Sequence, residues 1–84
     1  MQYTLELKPR ATKDLRRIPK NDAANILDAM ARLCDNLTGD VKQLANFTPD
    51  YRLRVGDYRV LFEIERGNRL IVYRVRHRRE AYRN

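Results

Sequence analysis

The sequence predicts an α+β fold: an N-terminal strand, an antiparallel helical hairpin, then a three-stranded antiparallel meander. The small mixed sheet packs on the two helices. Three observations predict it. The opening QYTLEL alternates, placing Tyr3, Leu5 and Leu7 on one side and Gln2, Thr4 and Glu6 on the other, the period of a half-buried strand. From Arg10 to Leu37 the apolar residues recur at helical spacing, with Pro19 as a break. From Tyr51 onward the alternation returns, interrupted by Gly56-Asp57 and Arg66-Gly67-Asn68.

Each element has a local cause. Pro9 stops the first strand. Ala11, Leu15 and Ile18 then share a helix face, with Lys13, Arg16 and Arg17 turned away. Asn21 is a fitting N-cap for the second helix, and Asp22 suits the positive end of its dipole. Ala23, Ile26, Leu27, Met30, Leu33, Cys34 and Leu37 form its apolar stripe, and Gly39 is the expected stop. Residues 38–50 carry no clear period. Leu44 and Phe47 are expected to anchor to the core, and Thr48-Pro49-Asp50 to turn. YRLRV and YRVLFEI flank Gly56-Asp57 as a hairpin, where glycine at the first turn position fits a type II′ turn. RLIVYRVRH is the last strand.

With 84 residues and no internal repeat or linker, the chain reads as a single domain, 1–84. A domain of this size buries only roughly 60% of its unfolded surface, so its core is thin. No apolar run approaches the roughly 20 residues of a membrane span, and no signal peptide opens the chain. Cys34 is the single cysteine, which excludes an internal disulfide and fits a reducing cytoplasm. One cysteine and one histidine do not make a structural zinc site, and no motif calls for a cofactor. The net charge of +7 points to a polyanionic partner.

Strand parity locates that charge. Neighbouring side chains of a strand project to opposite faces. Tyr51, Leu53 and Val55 oppose Arg52 and Arg54; Tyr58, Val60, Phe62 and Ile64 oppose Arg59, Leu61 and Glu63. In the last strand the expected core set is Ile71, Tyr73 and Val75, opposite Leu70, Val72, Arg74, Arg76 and Arg78. Arg52, Arg54, Arg59, Arg74, Arg76 and Arg78 are thus expected on one face, with Arg79 and Arg83 in the tail beyond. Arginine suits a bidentate grip on phosphate; the alternative is a solvated face with snorkelling stems.

RNA is cut when its 2′-hydroxyl attacks the adjacent phosphate. A catalyst holds that oxygen in line, neutralises the phosphorane and moves two protons. Arginine can position and neutralise but is a poor base. Tyr82 is the alternative proton carrier, since surrounding cations favour its phenolate; it could equally stack on a base or pack on the sheet. His77 could protonate the leaving oxygen, although parity puts it on the core side with Val75, where it would cap the core edge. Glu80 could be a base, but reads rather as a salt-bridge partner of a neighbouring arginine.

LRVGDYRVLFEI and HRREAY, with KDLRRI in the first helix, resemble the RelE branch of the RelE/ParE bacterial toxins over nearly the whole chain. The resemblance implies a metal-independent mRNA interferase that enters the ribosomal A site and leaves a 2′,3′-cyclic phosphate and a 5′-hydroxyl. It implies Arg52, Arg54, Arg59, Arg78 and Tyr82 as the residues that carry the reaction, and an acidic cognate antitoxin as partner. Arginines stand where some relatives have lysines, and the step from Arg78 to Tyr82 is shorter than in the best-known member of the family. Two other functions share the fold or the charge: a ParE-like inhibitor of DNA gyrase without nuclease activity, and a non-catalytic RNA-binding module.

Overall fold

The alternation of QYTLEL yields β1 (Thr4–Leu7), after which Pro9 opens α1 (Pro9–Arg17) at a position where its missing N–H is no loss. α2 (Lys20–Leu33) follows, then β2 (Asp40–Gln43), β3 (Tyr51–Val55), β4 (Tyr58–Glu65) and β5 (Arg69–His77). This computed structural model describes residues 1–82. The strands form one mixed sheet of order β1-β5-β4-β3-β2, in which β1 runs parallel to β5 and the other neighbours are antiparallel. The expected class, two helices against a mixed sheet, is the observed one.

Both helices pack on one face of the sheet. Ala11 of α1 and Ile26, Ala29, Met30 and Leu33 of α2 meet Leu53, Val60, Phe62, Leu70, Val72 and Val75 from the strands. Leu27, expected in this stripe, is 48% exposed, and Ala29 takes its place. The Ile26–Met30–Leu33 row sets the contact line, and a residue one step from Ile26 turns roughly 100° away from it. The cap of α2 also differs from expectation. The Ala23 N–H bonds the Pro19 carbonyl at 2.9 Å, so Pro19 is the N-cap and Asn21 lies within the first turn. The stop is made by Asn36 and Leu37 at φ 58° and 57°, with the Leu37 N–H on the Leu33 carbonyl at 3.0 Å. Gly39 comes later, at φ 135°, where a Cβ would lie 2.8 Å from Leu53 Cδ1.

Two features were not legible. β2 is a short polar edge strand without alternation, paired as Asp40 to Arg54 and Lys42 to Arg52. And β5 carries a bulge. Leu61 pairs with Arg74, but Phe62 pairs with Val72, so Tyr73 is an extra residue. The first half of β5 is therefore reversed from the expected parity. Leu70 and Val72 enter the helix-side core, while Ile71 is buried outside it, on the opposite face. After the bulge the expected parity returns, with Val75 in the core and Arg74 and Arg76 opposite. Leu44 and Phe47 are half-buried but stand outside the main core; Phe47 lies against Tyr82 instead. Among the described residues, no helix is long and apolar enough to cross a membrane.

Candidate nucleic-acid interface and active site

The face of the sheet away from the helices carries the arginines in rows, because residues paired across antiparallel strands project to the same side. One row runs Asp40, Arg54, Arg59, Arg76, and the next Lys42, Arg52, Leu61, Arg74. The sheet thus brings together five of the six arginines expected on that face: Arg52, Arg54, Arg59, Arg74 and Arg76. Arg78 follows the end of β5. Its N–H bonds the Asp57 carbonyl at 2.7 Å, and its exposed guanidinium lies 3.7 Å from the Asp57 carboxylate, beside the hairpin turn. That turn has its positive φ at Gly56, 57°, as a type II′ turn requires.

The guanidinium groups are held differently. Arg59 donates from Nη1 to the carbonyls of Gly56 and Tyr58, both at 2.9 Å, which pins it at the turn. Arg52 donates to the Asp40 carbonyl at 2.7 Å and to Asp40 Oδ1 at 3.1 Å. Arg54 is exposed. Arg76 lies 3.8 Å from the Glu80 carboxylate, the role expected of Glu80. Arg74 turns toward α1 and forms a bidentate pair with Asp14, Nε to Oδ2 at 2.8 Å and Nη2 to Oδ1 at 3.0 Å. The Val75 N–H adds a third bond to Asp14 at 2.9 Å. Burial opposes ionisation of Asp14, but the Arg74 and Val75 hydrogen bonds and the charges of Arg74 and Arg76 outweigh it and hold the carboxyl below its ordinary range.

The face is polar in charge. At its other end stand Glu63, paired with Ile71, and Glu65, paired with Arg69. Arg69 is engaged by Glu6 at 2.9 Å and by Glu65 at 3.6 Å. Burial, then the neighbouring Asp50 and Glu65 charges, raises the pKa of Glu63. A polyanion is accordingly attracted to the end near the Gly56 turn and repelled from the end near Glu63.

Tyr82, 45% exposed, lies past β5 and over the arginine face. It meets Phe47 edge-on at 5.7 Å between ring centroids and shares with Lys42, Phe47 and Arg52 the lining of a cavity of about 460 Å³. Lys42 and Phe47 were not among the residues expected here. Lys42 belongs to the unread edge strand, and Phe47 comes from a stretch without period. His77 does not join this group. It pairs with Tyr58, whose ring it meets at 5.6 Å, and lines a small cavity with Asp22 and Asn25 of α2 on the helix side. Its Nδ1 accepts the Arg79 N–H at 3.2 Å, so it shapes the turn that follows β5. Arg79 is exposed in that turn, and Arg83 lies outside the described residues.

Comparison with known proteins agrees with this fold. Residues 5–82 match the sequence model of the ParE toxin of the type II toxin–antitoxin system parDE. A chain of Methanocaldococcus jannaschii that bears the name toxin RelE1 is 30% identical, the alignment covering 100% of this chain and 99% of that one. Among solved structures, the RelBE2 toxin–antitoxin complex of Mycobacterium tuberculosis superposes with a TM-score of 0.79 at 25% identity, covering 92% of this chain and 99% of that one. The RelB–RelE complex of Methanococcus jannaschii gives 0.72 at 28% identity, over 88% and 91% of the two chains. The archaeal RelE–RelB complex of Pyrococcus horikoshii gives 0.75 at 25% identity, over 96% and 100%.

Proposed function

Since the chain belongs to the ParE toxin family of type II toxin–antitoxin systems, within the wider RelE/ParE group, we propose that it is a ribosome-dependent endoribonuclease. It cuts mRNA in the ribosomal A site, in the cytoplasm. The observation that carries this reading is the cavity lined by Arg52, Lys42 and Tyr82 beside the row Arg54, Arg59, Arg76. Cations from separate strands and a phenol converge on one face.

The chemistry follows from the placement. The 2′-oxygen attacks phosphorus, a P–O2′ bond forms and the P–O5′ bond breaks, leaving a 2′,3′-cyclic phosphate and a 5′-hydroxyl. Arg52, Arg54 and Arg59 neutralise the phosphorane, and Arg78 extends the same charge along the hairpin turn. Tyr82 carries one of the two proton transfers. His77 is on the helix side of the sheet, away from Tyr82, so the reading gives it no proton to move. The second proton is left to a group of the ribosome, which accounts for a need for the ribosome. Arg76 and Arg79 hold flanking phosphates; Arg74 contributes mainly through its clamp on Asp14.

The solved relatives are toxin–antitoxin complexes, and this supports a cognate antitoxin whose acidic residues cover the basic face and block the site. The ParE sequence model favours a second reading, a gyrase inhibitor without nuclease activity. Expression in cells separates the two: the nuclease halts translation at once, whereas the gyrase inhibitor damages DNA while translation initially continues. For the site itself, Arg59→Ala and Tyr82→Ala are expected to keep ribosome binding and to lose cleavage by about 100-fold or more. Normal cutting by both variants removes the assignment.

A further inference from the structure

The bulge in β5 has a consequence on the arginine face. By inserting Tyr73 ahead of Arg74, it turns two successive side chains outward, the tyrosine and the arginine. Tyr73 becomes part of the wall of a cavity of about 630 Å³ between the start of α1 and the loop after β2. Leu61, Pro49, Phe47 and Ala81 complete an apolar floor. Lys8, Arg10, Arg74 and Arg76 rim it, and Lys8 Nζ stands 5.6 Å from the centre of the Tyr73 ring. Phe47 is shared with the cavity of Arg52 and Tyr82, so the two lie on either side of one aromatic wall.

We infer that this groove is a second nucleotide subsite, in which the base of a nucleotide flanking the cut stacks on Tyr73 while its phosphate is held by Lys8 and Arg76. An aromatic face, an apolar floor and a cationic rim are what a single-stranded nucleotide needs. The orientation follows from charge. Glu63 and Glu65 pair with Ile71 and Arg69, on the side of Tyr73 toward the start of β5, so the neutral base lies there and the phosphate lies toward Lys8 and Arg76. Tyr73 serves as a neutral phenol: burial, then those two carboxylates, pushes its pKa up. The inference rests on the RNA-cleaving reading and extends it to substrate positioning, with Tyr73 as a positioning residue.

The test uses the full chain and a six-nucleotide RNA with 2′-O-methyl ribose at every position, which blocks attack by the 2′-oxygen, and in which 2-aminopurine is walked from end to end. Two positions are expected to be quenched on binding, one dependent on Tyr82 and the other on Tyr73. Tyr73→Ala should abolish the second and weaken binding about tenfold, while Tyr73→Phe keeps both. Lys8→Glu, at an exposed position, should weaken binding without changing the thermal midpoint. If RNA binds and quenching depends on Tyr82 but not on Tyr73, the subsite is wrong and the nuclease reading stands. If the probe does not bind, the subsite is wrong; if mRNA on programmed ribosomes is also left uncut, both fall. If a peptide of alternating Glu and Leu perturbs Tyr73 and RNA does not, the groove belongs to a protein partner and the inference is overturned.

Discussion

Asp14 shows how one side chain can fix the edge of the arginine face. Its carboxylate accepts two bonds from Arg74 and one from the Val75 N–H, tying α1 to the last strand just where the bulge redirects the chain. Asp14→Asn is expected to lower stability by about 2 kcal/mol at neutral pH, the scale of a hydrogen bond to a charged group. The pH dependence has a definite sign. The folded-state pKa of Asp14 is depressed, so its contribution is fully present above the unfolded-state value and is lost as pH falls through the folded one. Denaturant midpoints of wild type and Asp14→Asn should therefore differ at pH 7 and converge in acid; a constant gap would contradict the clamp. In the sequence Asp14 was one polar residue in a helix, because a contact to Arg74, sixty positions later, leaves no local pattern. Arg52, Arg54 and Arg59 were legible as one face because strand parity marks them, whereas Tyr82, past the last strand, was singled out as a phenol among cations. Tyr82's neighbour Phe47 was not.

At the scale of elements, the strands around Gly56 could be read because a period of two and a glycine turn specify register together. The bulge could not. One inserted residue leaves the apolar run RLIVY intact and merely changes which of its members face the helices. β2 escaped notice for the opposite reason: an edge strand with one face toward solvent needs no apolar alternation, and polar residues guard it against pairing. Two glycines give element-level tests. Gly56 has φ 57° and open space around a would-be Cβ, so Gly56→Ala should cost only backbone strain, about 1 kcal/mol. Gly39, at φ 135° and crowded by Leu53, should cost more, about 2–3 kcal/mol on the same substitution. Chemical denaturation ranks them, and an equal or reversed order would show that β2 does not seat as described.

For the whole molecule, two faces of one thin sheet do separate work. The helix side supplies stability: Phe62, fully buried at its centre, should cost about 3–5 kcal/mol when truncated to alanine. The other side supplies charge, and its use should show in salt. With one phosphate on Arg52, Arg54 and Arg59 and flanking phosphates on Arg76 and Arg79, the logarithm of RNA affinity should fall with that of salt at a slope of about −2. Arg79→Ala, at an exposed position, should make that slope shallower by about 0.7 and leave the fold unchanged. The central claim is that this face cuts mRNA held by the ribosome. Mapping mRNA 5′ ends after brief exposure to the purified chain, with translating ribosomes present and absent, tests it most directly. The account predicts new 5′-hydroxyl ends within A-site codons only when ribosomes are present, and none from Tyr82→Ala; intact mRNA in both samples would contradict it.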